Sequence, residues 1–60
     1  MSKLKELRIK RKLRQSDLAE KLGVSRPAVS KWETGKSVPQ TRLLPKLAKV
    51  LRCKVNDLLC

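Results

Sequence analysis

Sixty residues make one small domain at most, of a size that buries only about 60% of the surface its unfolded chain exposes. Sixteen Lys and Arg against five Asp and Glu leave a net charge of +11, and there is no His, Tyr or Phe and a single aromatic residue, Trp32. These counts argue against an enzyme or a metal or cofactor site: the commonest general base and zinc ligand is missing, two cysteines make no cage, and two glycines make no phosphate-cradling loop.

From Leu4 to Leu13, the apolar Leu4, Leu7 and Leu13 are separated by Lys5, Glu6, Arg8, Lys10, Arg11 and Lys12. Leu4 and Leu7 share a face, so the spacing predicts a short amphipathic helix with a cationic outer side and Ile9 off the stripe. Leu18, Ala19 and Leu22 sit at helical spacing with Gly23 directly after, which predicts a second helix of about two turns closed by a left-handed residue. Ser25 is a natural N-cap, and Pro27 falls in the first turn, where its missing N–H is no loss. Val29 and Trp32 mark the inward face of this third helix and Gly35 closes it. Lys36, Ser37, Val38 and Pro39 read as a loop. Thr41 to Leu51 carries Leu43, Leu44, Leu47, Ala48 and Leu51, a stripe for a fourth helix in which Pro45 is tolerable only within the first turn. Val55, Leu58 and Leu59 predict a last short helix. The fold class is therefore all-α, five helices in one domain over residues 1–60, with no repeat, linker or strand pattern.

The positive charge favours a polyanionic partner: DNA, RNA or an acidic membrane. No apolar run approaches the ~18 residues of a membrane span and no signal-peptide core follows Met1, so a cytoplasmic protein is expected. There Cys53 and Cys60 stay reduced, and Cys60 is expected as a free terminal thiol rather than a crosslink. One aromatic side chain makes no stacking platform for single strands, and Trp32, on an apolar helix face, is expected in the core.

Residues Gln15 to Thr34 match a helix-turn-helix unit. Ala19 is small where two helices cross, Gly23 stands four residues later at the turn, and Leu18, Leu22, Val24, Val29 and Trp32 occupy the positions that clamp the helices together. Nearly the whole chain, about residues 3–59, resembles the lambda-repressor/Cro (XRE-like) family of bacterial and phage regulators. The resemblance runs through Leu4-Lys-Glu-Leu-Arg8, Gln15-Ser-Asp-Leu-Ala-Glu-Lys-Leu-Gly-Val-Ser25, Val29-Ser-Lys-Trp-Glu33, Gly35-Lys36, Pro39 and Leu44-Pro-Lys-Leu-Ala48.

That resemblance implies a compact five-helix bundle whose third helix enters the major groove of duplex DNA. Arg26, Pro27, Ser30 and Lys31 would face the bases, with Arg26 as the specificity contact, since a guanidinium pairs bidentately with guanine. Arg14, Gln15, Ser25, Lys36, Ser37 and Gln40 would meet the backbone. Arg8 and Glu33 would form a structural ion pair between the first and third helices. A homodimer would pair through the segment after the fourth helix, around Val55, Leu58 and Leu59. The expected activity is sequence-specific regulation of transcription, more as repressor than activator, on a near-palindromic operator, with no membrane or small-molecule ligand. The rival reading is an antitoxin-like or other protein-interaction module on the same fold.

Four positions depart from the family pattern by carrying a cation. Lys12 replaces Gly or Asn after the first helix, and Arg14 replaces the Ser or Thr that caps the second, which predicts loss of the reciprocal cap with Asp17. Arg52 occupies the usual glycine after the fourth helix, and Lys54 the usual Ser or Thr before the fifth. A lost N-cap costs about 1 kcal/mol, and a left-handed non-glycine residue about the same, so a marginally stable monomer is expected.

Overall fold

The computed structural model describes residues 2–59, and of these the side chains of residues 3–58; Met1 and Cys60 lie outside. Helices α1 (Ser2–Lys10), α2 (Gln15–Leu22) and α3 (Arg26–Thr34) are followed by a 3-10 turn (Thr41–Leu43) that runs into α4 (Leu44–Leu51), and α5 (Val55–Leu59) ends the order. No strand occurs among the described residues. The α2–α3 pair packs most extensively; α1 rests on α3 and α5, and α4 on α2 and α5.

Every helix sends apolar side chains to one core. Leu4 of α1, Leu18 of α2, Val29 of α3, Leu47 and Leu51 of α4 and Leu58 of α5 are all inaccessible or nearly so. Trp32 is buried among them, Ala19 and Ala48 fill buried positions of α2 and α4, and Ile9 stands 56% exposed, off the stripe. Burying a Leu or Val side chain stabilises by roughly 1.5–3 kcal/mol, so these six positions, with Leu22 and Trp32, supply most of the fold's apolar term.

The first helix stops at Lys10, before Lys12 turns left-handed at φ 58°. One element differs from its predicted extent. The fourth begins as a 3-10 turn, in which the Leu44 N–H bonds to the Thr41 carbonyl. Pro45 has no N–H to give that carbonyl, so the residue before it takes the tighter bond. Pro45 itself lies in the first turn of α4.

Helices α1 to α4 all end in the same Schellman closure, a pair of bonds around one left-handed residue. Val24 N–H reaches back to Ala19 O across Gly23, and Lys36 N–H to Lys31 O across Gly35. Leu13 N–H bonds to Arg8 O across Lys12 and Cys53 N–H to Ala48 O across Arg52, which holds φ 55°. The two cationic closures are joined by a side chain that no sequence pattern marks. Arg11 Nε donates to Leu51 O at 2.9 Å and its Nη2 to Arg52 O at 3.3 Å, tying the end of α1 to the end of α4.

The cap of α2 corrects the sequence expectation. Arginine has no acceptor atom, so one half of the reciprocal cap is indeed gone. The other half survives, since Arg14 N–H donates to Asp17 Oδ2 at 2.9 Å. The Arg14 guanidinium then folds over the same carboxylate, Nε to Oδ2 at 3.2 Å. The start of α5 repeats the device, Lys54 N–H donating to Asp57 Oδ2 at 2.9 Å.

Candidate nucleic-acid interface

The site begins with how α3 is held. Ser25 Oγ accepts from Ala28 N–H at 3.3 Å, Pro27 lies in the first turn, and Gly35 closes the other end. Val29 and Trp32 turn into the core while Arg26, Pro27 and Lys31 are exposed and Ser30 is half-buried. The outer face thus offers two long cations and two small side chains on a helix pinned from behind. Gln15, at the start of α2, joins Arg26, Pro27 and Ser30 around an open hollow of about 300 Å³.

Behind this hollow sits Glu33. Arg8 Nε donates to its Oε2 at 2.6 Å and Arg8 Nη2 to its Oε1 at 3.3 Å. Gln15 Nε2 donates to Oε1 at 3.0 Å. Arg8 also closes the turn after α1 by giving Nη1 to Leu13 O at 2.7 Å. Both side chains of the pair are almost fully buried, at 11% and 3% exposure. Burial alone would push the Glu33 carboxyl up. The bonds from Arg8 and Gln15, with the attraction of Arg8 and Lys5, outweigh it and hold the group below the usual carboxylate range. One carboxylate therefore locks three helices together: α1 through Arg8, α2 through Gln15, and α3 through itself.

The sequence pointed to Gln15 as a backbone contact and missed this bond. Glu33 can only accept, so Gln15 must turn its amide nitrogen inward, and that donor is shared with the carboxylate. The first-turn N–H groups of α2 also have no intrahelical partner by geometry. They suit an anion.

Arg14, Ser25, Lys36, Ser37 and Gln40 are all exposed. Asp17 holds the Arg14 guanidinium and is itself held below the usual carboxylate range, by the side-chain and main-chain bonds from Arg14. Gln40 Oε1 accepts from Arg42 Nε at 2.7 Å, an arginine that the motif did not single out. After α4 the structure changes the picture. Leu58 is 1% exposed and belongs to the chain's own core, so it offers no surface to a second protomer. A helix of five residues has little more than one inward position, and Leu58 fills it. Val55 remains half-buried, and the Leu59 side chain lies outside the described ones. Cys53 is half-buried and free, its thiol pushed up by burial and by Asp57, with Arg11 opposing.

Among the described residues no cluster of His, Cys, Asp and Glu is placed to hold a metal ion, and no described helix is long and apolar enough to cross a membrane.

The family model described as Helix-turn-helix matches residues 4–58. An uncharacterized HTH-type transcriptional regulator of Methanocaldococcus jannaschii is 44% identical over 57 residues, covering 95% of this chain and 86% of that protein. The HTH-type transcriptional activator BcrR of Enterococcus faecalis is also 44% identical over 57 residues, and there the chain spans 28% of the longer protein's length. Repressor protein C2 of Salmonella phage P22 is 37% identical over 57 residues, the chain spanning 26% of it. No solved structure matches. The chain belongs to the XRE-type helix-turn-helix family of DNA-binding transcriptional regulators, a family of regulators and not of enzymes.

Proposed function

We propose that the chain is a sequence-specific reader of duplex DNA that represses transcription from a near-palindromic operator as a homodimer, in the cytoplasm of a bacterium or phage-infected cell. The observation that carries this reading is the outer face of α3: Arg26 and Lys31 exposed, Pro27 and Ser30 between them, and a hollow bordered by Gln15 beside them. Arg26 stands in the first turn of a capped helix, where a guanidinium can meet the two acceptors on a guanine edge. Pro27 is suited to a thymine methyl, and Ser30 permits close approach. Arg14, Ser25, Lys36, Ser37, Gln40 and the N-terminus of α2 supply phosphate contacts. Arg14 and Lys36 are the cations of this set, so it contributes about −2 per protomer to the log–log salt slope. The relatives carry both signs of regulation by name; repression is preferred because bound protein excludes other proteins from a promoter without needing a further contact. With Leu58 in the core, Val55 is the described apolar position of α5 left for a dimer contact.

Selection of bound sequences from a random duplex pool at ~150 mM salt tests the whole reading. The expected result is an enriched inverted repeat with half-sites about one helical turn apart. Salt-sensitive binding with no enriched sequence would reject specific reading and favour a protein partner for α3. A companion variant sharpens the assignment. Arg26→Ala is expected to relax preference at one base position by about 1–3 kcal/mol, while Lys36→Ala weakens all sequences alike.

A further inference from the structure

A second concavity lies where the two cationic helix ends meet. Lys10 from the end of α1, Arg11 and Lys12 from the α1–α2 connection, Lys21 from α2 and Arg52 after the end of α4 line a cleft of about 380 Å³, with Leu13 and Val50 as its apolar lining. No carboxylate lines it, and it shares no residue with the hollow of Gln15, Arg26, Pro27 and Ser30. Lys21 follows Gln15 by six residues on α2, which places it about 9 Å along the helix axis and roughly 120° around it. The two concavities therefore open on different faces.

Helix dipoles account for part of this charge. The C-terminal turns of α1, α2 and α4 contribute Lys10, Lys21 and Arg52 or their neighbours, and each helix end carries about half a negative charge, ~1.5 in all. Lys21 also borders a separate hollow with Asp17 and Glu20, so its charge is shared with them. After both corrections roughly two to three positive charges in the cleft have no local counter-charge. Arg11 is held there by Leu51 O and Arg52 O. Lys12 and Arg52 stand at φ 58° and 55°, where glycine or asparagine sits more easily, so backbone geometry alone does not call for cations. A cleft of one sign concentrates its field and draws a polyanion.

We propose that this cleft binds the phosphodiester backbone of a second DNA segment, distinct from the one read by α3, so that one protomer holds two segments together. The inference rests on the DNA-binding reading above. Phosphodiester backbone is preferred because it supplies closely spaced charges along a line, and because the cleft has no aromatic side chain on which unpaired bases could stack.

The test is a titration of the isotopically labelled chain with a short duplex of arbitrary sequence, following amide signals of Lys12, Lys21 and Arg52 separately from those of Arg26, Ser30 and Lys31. Inorganic tripolyphosphate is titrated in parallel. The expected result is two events, the cleft amides still shifting with excess duplex after the α3 amides saturate. The double variant Lys12→Asn with Arg52→Gly removes two charges while suiting the left-handed backbone, and its remaining spectrum reports that it is folded. It is expected to weaken the second event at least about tenfold at low salt and to reduce its salt slope by about 2, leaving the α3 event within about twofold. Cleft amides that stay still while the α3 amides move would overturn the proposal and leave DNA reading intact. Both sets saturating together would mean a single wrapped duplex and overturn it too. A shift with tripolyphosphate but none with duplex would assign the cleft to a small free anion instead. If neither set moves with duplex, the DNA-binding reading itself fails.

Discussion

Glycine closes α2 and α3, at Gly23 and Gly35, whereas a cation closes α1 and α4, at Lys12 and Arg52. The hydrogen bonds are the same in both pairs, so the closure does not require glycine. It requires that about 1 kcal/mol of left-handed strain be offset from elsewhere. For the glycine pair nothing is needed, and the helix-turn-helix unit is complete within a short stretch of chain. For the cationic pair the offset comes from a distance: Arg11 bridges to Leu51 and Arg52, 40 and 41 residues away. The helix closures of the frame are thus backed by long-range polar ties, and those of the recognition unit stand on local geometry alone.

Cutting a tie should have the largest effect. Glu33→Ala leaves the Arg8 guanidinium buried without its counter-charge, which costs about 3–5 kcal/mol, comparable with the whole stability of a domain this size. Urea unfolding should find the variant largely unfolded without denaturant. A loss below about 1 kcal/mol would mean that the pair behaves as a surface bridge and that α1 is not tied to α3. Arg11→Met should follow, at about 1.5–3 kcal/mol for bonds from a charged donor. Hydrogen exchange should then show α4 and α5 losing protection before α2 and α3; uniform loss would erase the distinction between unit and frame.

Exchanging the closures tests the comparison most directly. Arg52→Gly is expected to raise stability by about 1 kcal/mol. Gly35→Ala should lower it by about the same amount, through backbone strain alone, since an added Cβ there meets no atom within 4 Å. If both changes lower stability, the Arg52 side chain contributes something its charge and backbone do not account for. The smallest effect at neutral pH is acidic. Because Glu33 is held below the usual carboxylate range in the fold, its contribution is present above the unfolded value of about 4.3 and is lost as pH falls through the lower folded value. A Glu33→Gln chain, destabilised at neutral pH because Arg8 loses its counter-charge, should show no further loss through that acid range.

The α2–α3 unit was legible in the sequence because its constraints are local: Ala19, Gly23, Ser25 and Gly35 each act on residues within a turn or two. Arg8 with Glu33 came by family resemblance, not spacing. Arg11 could not be read, since its partners are main-chain oxygens, which leave no trace in residue identity, and it sits within the run Lys10-Arg11-Lys12. The cap of α2 was misjudged for a related reason. The bond from the N-cap N–H to Asp17 does not depend on which side chain the N-cap carries. Leu58 was given a dimer role by family resemblance, and Val55, Leu58 and Leu59 span too short a helix for periodicity to show that Leu58 takes the inward position.

The Arg11 bridge also governs time. Helices α2 and α3 are joined by a short turn and can dock early, whereas the partners of Arg11 meet only after most of the chain has been closed into a loop, an entropic step that delays contacts between distant residues. A bond made after the barrier changes the rate of unfolding and leaves the rate of folding nearly untouched. Arg11→Met is therefore expected to speed unfolding while leaving the folding rate nearly unchanged, as a latch would; an equal slowing of folding would show that the bond forms before the barrier.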